Sequence, residues 1–207
     1  MYVEKIAEVH NMYKLCKTES SAKRQRNLEL ALLNLMKNMH YDEITVSGIC
    51  ESIDVPRKAF YRYFESKDGA LYALIDHTMM QFHENEGKYT ERVRRSLEGD
   101  IEQLYIFFLE RRDFLDALER SGLSDILIQR AMKFSLSGTI NLNKFLPDEN
   151  EWMREQVLNF SVCGLMMSVL SWYRAGYKKS TREMARMACR MLSEPLFPNI
   201  KQIVNKK

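Results

Sequence analysis

TVSGICESIDVPRKAFYRYFESK, residues 45 to 67, decides how this chain is read. The stretch has the pattern of two short helices joined by a tight turn, followed by the start of a third. Arg57, Lys58, Tyr61 and Arg62 stand at positions i, i+1, i+4 and i+5, which fall on one face of a helix. Phe60 and Phe64, four apart, fall on the other. Such a helix can seat its rings on a small core and present cations and a phenol to the phosphates and base edges of DNA.

The local signals around this stretch agree with it. Thr45 offers a side-chain oxygen as N-cap, and Val46, Ile49, Cys50 and Ile53 form an apolar face behind it. Asp54-Val55-Pro56 reads as the turn. Asp tolerates left-handed dihedrals better than most residues, and Pro56 suits a first helical turn, where its missing N–H costs nothing. The next helix is expected from about Pro56 to Phe64. Ser66 then caps a fourth helix, with Asp68 near its positive end. Leu71, Leu74, Ile75, Thr78 and Phe82 give that helix a stripe to about Glu86. Upstream, Ser20 or Ser21 caps a first helix running to about His40. Leu28, Ala31, Leu32, Leu35, Met36 and Met39 recur along it at three- and four-residue spacing, and Tyr41-Asp42-Glu43 breaks it. Residues 1–20 read as a short extra helix or a loosely held arm. An arm reaching DNA with Lys14 and Lys17 competes with a solvated leader, the commoner state of a chain terminus.

The second half has the pattern of a helical body. Gly87, Gly99 and the charges between them suggest an irregular connection. Ile101, Leu104, Tyr105, Phe108 and Leu109 mark one helix, Arg112 to Arg120 a second, and Ser121-Gly122 its left-handed end. Ser124 starts another, with Ile126, Leu127, Ala131, Phe134 and Leu136 inside, and Pro147 marks a loop. Glu149 to Tyr177 reads as a long helix and Thr181 to Ser193 as the last. On the long helix Ser161, Gly164, Ser168, Ser171 and Ala175 make a stripe of small residues, with Trp152, Phe160, Met167 and Trp172 elsewhere around it. The stripe serves close packing within one subunit or a dimer seam shared with Met184, Met187, Ala188 and Met191.

Composition sets the class. Of 207 residues, 45% are hydrophobic and 29% charged, with 4 Pro and 8 Gly to interrupt helices, which points to an all-α protein. The net charge is +3, so nucleic-acid binding has to rest on local placement. Residues 57–67 supply it, with Arg57, Lys58, Arg62 and Lys67 against Glu65. Cys16, Cys50, Cys163 and Cys189 have neither zinc-ligand nor redox spacing and read as buried thiols in a reducing cytoplasm. The first residues lack the apolar run of a signal peptide. No apolar stretch is long enough to span a bilayer. A soluble cytoplasmic protein is expected, with no membrane partner and no cofactor. No Gly-rich phosphate loop or nucleophile motif points to an enzyme, and His10, His40, His77 and His83 have no metal-ligand spacing.

Residues 45–71 resemble the helix-turn-helix of the TetR family of bacterial transcription regulators. Thr45, Val46, Ile49, Val55, Ala59, Phe60, Tyr61, Tyr63, Phe64, Ser66, Lys67, Asp68 and Leu71 fit the family pattern. Asp54 replaces the usual turn glycine, Pro56 the usual serine, and Lys58 the usual second glycine. Phe114-Leu115, Leu118 and Ser121-Gly122-Leu123, with the run from Gly164 through Trp172 to Gly176, resemble the family's C-terminal domains more loosely. The resemblance implies an N-terminal extension over residues 1–20, a DNA-binding head over 21–80, and a regulatory and dimerisation body over 81–207.

On that reading the third helix enters the major groove of double-stranded DNA. Arg57 and Lys58 meet base edges, and Ala59 meets a thymine methyl. Arg62 adds its charge beside them. Tyr61 and Tyr63 give hydroxyls to phosphate, with a buried ring as the alternative for Tyr63. Thr45 and Lys67 meet phosphates at helix starts. A homodimer, joined through the last two helices at Ser161, Gly164, Ser168, Ser171, Met184, Met187 and Met191, would read a pseudo-palindromic operator. A small-molecule effector in the body would release it as a repressor. Tyr105, Phe108, Phe134, Met166 and Trp172 are candidates to line its cavity, and core packing explains each as well. The alternative from another class is an interaction protein of the same fold whose main partner is a protein.

Overall fold

The computed structural model describes residues 12–85, 96–135 and 150–194. Among them the secondary structure is helical: α1 (Glu19–Met36), α2 (Val46–Glu51), α3 (Arg57–Phe60), α4 (Lys67–Asn85), α5 (Leu97–Leu109), α6 (Arg112–Arg120), α7 (Ser124–Phe134), α8 (Glu151–Arg174) and α9 (Thr181–Ser193), with one 3-10 turn at Tyr41–Glu43. The fold is all-α, an N-terminal helix-turn-helix head on a larger helical body. Leu136, Pro147, the segment between Glu86 and Arg95, and the tail from Pro195 lie outside the described residues.

Side-chain caps set most helix starts. Thr18, not Ser20 or Ser21, caps α1, its Oγ1 accepting from the Ser21 N–H. The helix stops at Met36, short of His40, because His40 opens a capping box of its own. The Asp42 N–H donates to the His40 ring, and the His40 N–H donates to Glu43 Oε2 at 3.1 Å. Thr45 caps α2 through the Gly48 N–H at 3.0 Å, and Ser66 Oγ accepts from the Gly69 N–H in the first turn of α4. Gly99 is not part of an irregular connection. It lies in the first turn of α5, bonded to the Ser96 cap.

α1 packs along α4, and α2 and α3 close the head beneath them. Leu28, Leu32, Met36, Ile49, Phe60, Phe64, Leu71 and Leu74 fill this core. In the body α9 lies against α5, and α7 bridges α8 and α4. Head and body share one apolar cluster, to which α4 contributes Ile75 and Met79 and α5 contributes Tyr105, Phe107 and Phe108. Ser121, at the end of α6, reaches back to the head and accepts the Tyr41 N–H at 3.0 Å. Gly122 has φ +66°, the left-handed end expected of Ser121-Gly122.

The largest departure from expectation is at the N-terminus. Of the extension expected over residues 1–20, residues 1–11 lie outside the described residues, and residues 12–16 are held against the head. They form a strap across the head. Tyr13 is buried and makes an antiparallel bridge to Phe64. The Lys14 N–H donates to the Tyr63 carbonyl (2.8 Å) and the Glu65 N–H to the Met12 carbonyl (3.0 Å). This pairing also explains why α3 ends at Phe60 instead of continuing to Phe64, since the following backbone turns out to meet the strap. Gly69 completes the fit, because a Cβ there would stand 2.2 Å from the Met12 carbonyl oxygen.

Candidate nucleic-acid interface

The turn before α3 depends on Asp54, which adopts φ +52° where the related pattern has glycine. Cys50 and Val55 close it with a backbone bond of 3.0 Å. Pro56 follows as the extended N-cap of α3. A single helical turn then fixes the direction of every side chain. Phe60 is fully buried, and its ring centroid lies 5.0 Å from that of Phe64. With those rings anchored, Arg57, Lys58, Tyr61 and Arg62 all face solvent. Tyr61 is 48% exposed, and the Arg57 guanidinium leans toward it, Nη2 donating to its hydroxyl at 3.4 Å. Neither Lys58 nor Arg62 makes an ion pair among the described residues. Ala59 is half-buried and Thr45 exposed at the start of α2.

Two of the residues expected at this interface have partners within the fold, Tyr63 in the buried-ring alternative. Tyr63 is 5% exposed, and its carbonyl receives the strap. Lys67 is turned inward. Its Nζ donates to the carbonyls of Tyr41 (2.7 Å) and Ile44 (2.9 Å) and sits 4.1 Å from the centroid of the Tyr41 ring. It adds a second donor to the Tyr41 carbonyl, which already accepts the Ile44 N–H, and supplies one to the Ile44 carbonyl.

Between α1 and α3 lies a half-open groove of about 440 Å³. Leu28, Leu30, Ile53 and Val55 line it, with Arg24, Lys58 and Arg62 among its polar residues. Arg24 is a member of this face that the helix-turn-helix pattern alone did not single out. The signal was its place in the Lys23-Arg24-x-Arg26 cluster, one turn into a helix that packs beside α3.

The body residues named for an effector cavity are buried where the structure describes their side chains. Tyr105 and Phe108 are 0% exposed, Met166 2% and Trp172 4%. Tyr105 and Trp172 meet edge to face at 5.4 Å, Tyr105 Oη bonds Ser168 Oγ at 2.7 Å, and Trp172 Nε1 donates to the Lys179 carbonyl. All four side chains are buried among the described residues. The Phe134 side chain lies outside the described residues.

The same bond turns Ser168 toward its own subunit, and Met184 is buried. Ser161 and Ser168 are both half-buried. Among the residues α8 exposes, Met153, Val157, Phe160, Gly164, Met167 and Ser171 are spaced alternately by four and three, with Trp152 exposed beside them. Phe160 is 67% exposed, and with Gly164 and Met167 it lines a groove of about 590 Å³. α9 adds exposed Met187 and Met191.

Neither a protein-family model nor a curated protein sequence matches the chain. Solved structures do. A TetR transcriptional regulator from Streptococcus agalactiae 2603V aligns with a TM-score of 0.60 at 16% identity, over 84% of this chain and 96% of that one. The dihydroxyacetone kinase operon activator DhaS aligns at 0.54 and 13%, over 82% and 93%. Thermus thermophilus FadR, a TetR-family transcriptional repressor in complex with lauroyl-CoA, aligns at 0.50 and 16%, over 83% and 94%. The chain has the fold of TetR-family transcriptional regulators. No helix among the described residues is long and apolar enough to cross a membrane.

Proposed function

We propose that this protein is a DNA-binding transcriptional regulator that acts as a homodimer on a near-palindromic operator. The observation that carries the reading is α3. With the turn that follows it, it is held by buried Phe60 and Phe64 and directs Arg57, Lys58, Tyr61 and Arg62 to solvent. Arg57 and Lys58 stand at its N-terminal end, where recognition helices meet base edges. An arginine there can grip guanine O6 and N7 together. Thr45 and Arg24 extend the face toward the flanking phosphates.

The dimer rests on the α8 stripe. A contiguous apolar row around Phe160, rimmed by polar residues, is the kind of surface a second chain covers. Gly164 has nothing within 4 Å of a Cβ position, leaving space for a close helix. Two heads joined this way read two half-sites a whole number of helical turns apart.

The regulator is a repressor released by a small molecule bound in the body. The FadR relative holds an acyl-CoA. In this chain such a ligand would bind beside the edge-to-face contact of Tyr105 and Trp172. The release requires different affinities of the ligand for two head arrangements.

The experiment is quantitative binding to duplexes selected from a random pool, repeated across salt concentrations. A specific complex with a steep salt dependence supports the reading. Binding that stays weak on every duplex and is unaffected by the double substitution Arg57→Ala with Lys58→Ala contradicts it.

A further inference from the structure

Three segments distant in sequence meet on one buried carboxylate. Tyr13, on the strap, donates its hydroxyl to Asp76 Oδ2 at 2.6 Å. Asp76 lies on α4, where head passes into body. Arg130, on body helix α7, grips the same carboxylate side-on, Nε donating to Oδ1 at 2.7 Å and Nη2 to Oδ2. Asp76 is 3% exposed and Arg130 5%, and Arg130 Nη1 has no partner. The next residue of α4, His77, bonds Glu29 of α1 at 2.9 Å, and Glu29, fully buried, also takes Arg26 Nη1 at 2.7 Å. The Tyr72 ring stands beside the Arg130 guanidinium. One turn of α4 is thus tied at once to the strap, to α1 and to the body.

We infer that Tyr13, Asp76 and Arg130 form a clasp that sets the orientation of the DNA-reading head on the body, and that they are positioning residues for operator binding. The strap carrying Tyr13 is hydrogen-bonded to Tyr63 and Glu65, directly after α3, so the clasp acts on the end of the recognition helix. A buried charge pair tolerates no partial separation, because breaking one bond leaves the other charge buried and unmatched. Burial alone would lower the Arg130 guanidinium, but the bond and charge of Asp76 outweigh it and hold it above its ordinary value. Burial, then Asp76, pushes the Tyr13 phenol well above its usual range. Tyr13 therefore keeps its proton as donor and Arg130 its charge. The clasp makes the head angle a discrete setting, of the kind a two-state regulator needs.

This inference rests on the DNA-binding reading, and the test separates the two. Full-length protein is measured against its selected operator and against the same half-sites with one base pair inserted between them. Tyr13→Phe keeps the ring and removes the bond to Asp76. It is expected to reduce the preference for the native spacing by about fivefold or more, with the protein still folded at the assay temperature. A purely structural role would lower the melting temperature and leave that preference as in wild type, and this result overturns the clasp. Where Tyr13→Phe does not fold, Arg130→Lys, which keeps the charge but cannot grip the carboxylate side-on, is measured in the same way. If wild-type protein selects no duplex, the DNA reading falls and amide exchange decides the clasp. Arg130→Lys, in the body, must then accelerate exchange at Lys14 and Glu65 in the head by about tenfold beyond any change at Leu32. Unchanged exchange overturns it.

Discussion

Lys67 places its ammonium 4.1 Å from the centre of the Tyr41 ring and bonds the carbonyl of that same residue at 2.7 Å. The Tyr41 hydroxyl in turn donates to Asp68 at 2.6 Å. The start of α4 is thus locked to the 3-10 turn through one residue's ring, carbonyl and hydroxyl. The lysine expected at a phosphate is bonded within the fold.

Lys67→Ala is therefore expected to destabilise the protein by about 2–3 kcal/mol, since two charge-assisted bonds are lost and two carbonyls are left without that partner. The urea midpoint measures this. The salt slope of DNA binding should not change, which separates Lys67 from a phosphate-contacting lysine.

Lys58 and Arg62 should behave in the opposite way. Both are exposed and make no ion pair among the described residues. Substitution of either by alanine should leave stability within about 0.5 kcal/mol and reduce the salt slope by about one. Arg57→Ala should cost about 1–3 kcal/mol of binding and relax the base preference at one position of each half-site. Titrations across salt concentrations distinguish the two classes.

Phe160→Glu places a charge in the middle of the exposed α8 stripe. The monomer core should be unaffected, because this side chain is 67% exposed. Sedimentation should show a dimer in wild type and a monomer in the variant, and operator affinity should fall with the loss of the second head. Ser168→Ala, a serine of the same predicted stripe, should leave the dimer intact and cost only the bond to Tyr105.

Glu119 gives the protein a modest acid sensitivity. Arg174 Nε and Nη2 bond it at 2.9 and 2.6 Å. That hydrogen bond holds its carboxyl below the ordinary 4.5, with burial working against it. A carboxylate depressed in the folded state contributes stability above its unfolded pKa, and loses that contribution as pH falls through the folded value. The pair is partly exposed, so the effect is at most about 1 kcal/mol. Wild type should lose more stability than Glu119→Gln between about pH 6 and pH 3.5 in urea melts.

The head was legible because its signals are local. Thr45, Asp54, Pro56 and Ser66 each mark a cap or turn within four residues of the groups they serve, and Phe60 and Phe64 state their face by spacing alone. The strap was not legible, because nothing near Tyr13 announces a partner 63 residues away at Asp76. The same holds for Lys67, whose acceptors are carbonyls and carry no side-chain signature. On α8 the small residues were visible but their direction was not. Ser168 turned to Tyr105, and the bulky Phe160 and Met167, placed off the stripe by composition, lie on the exposed face. Tyr105, Phe108, Met166 and Trp172 carried the same apolar signal whether they lined a cavity or filled one. Their burial is seen in the fold and is not encoded by periodicity.

The central claim is that the α3 face reads DNA. It is tested most directly by selecting duplexes from a random pool with wild-type protein and with the double variant Arg57→Ala, Lys58→Ala. The account predicts a near-palindromic site enriched by wild type, bound less tightly as salt rises, and lost by the folded double variant. Enrichment of the same site by both proteins, or of none by wild type, would contradict it.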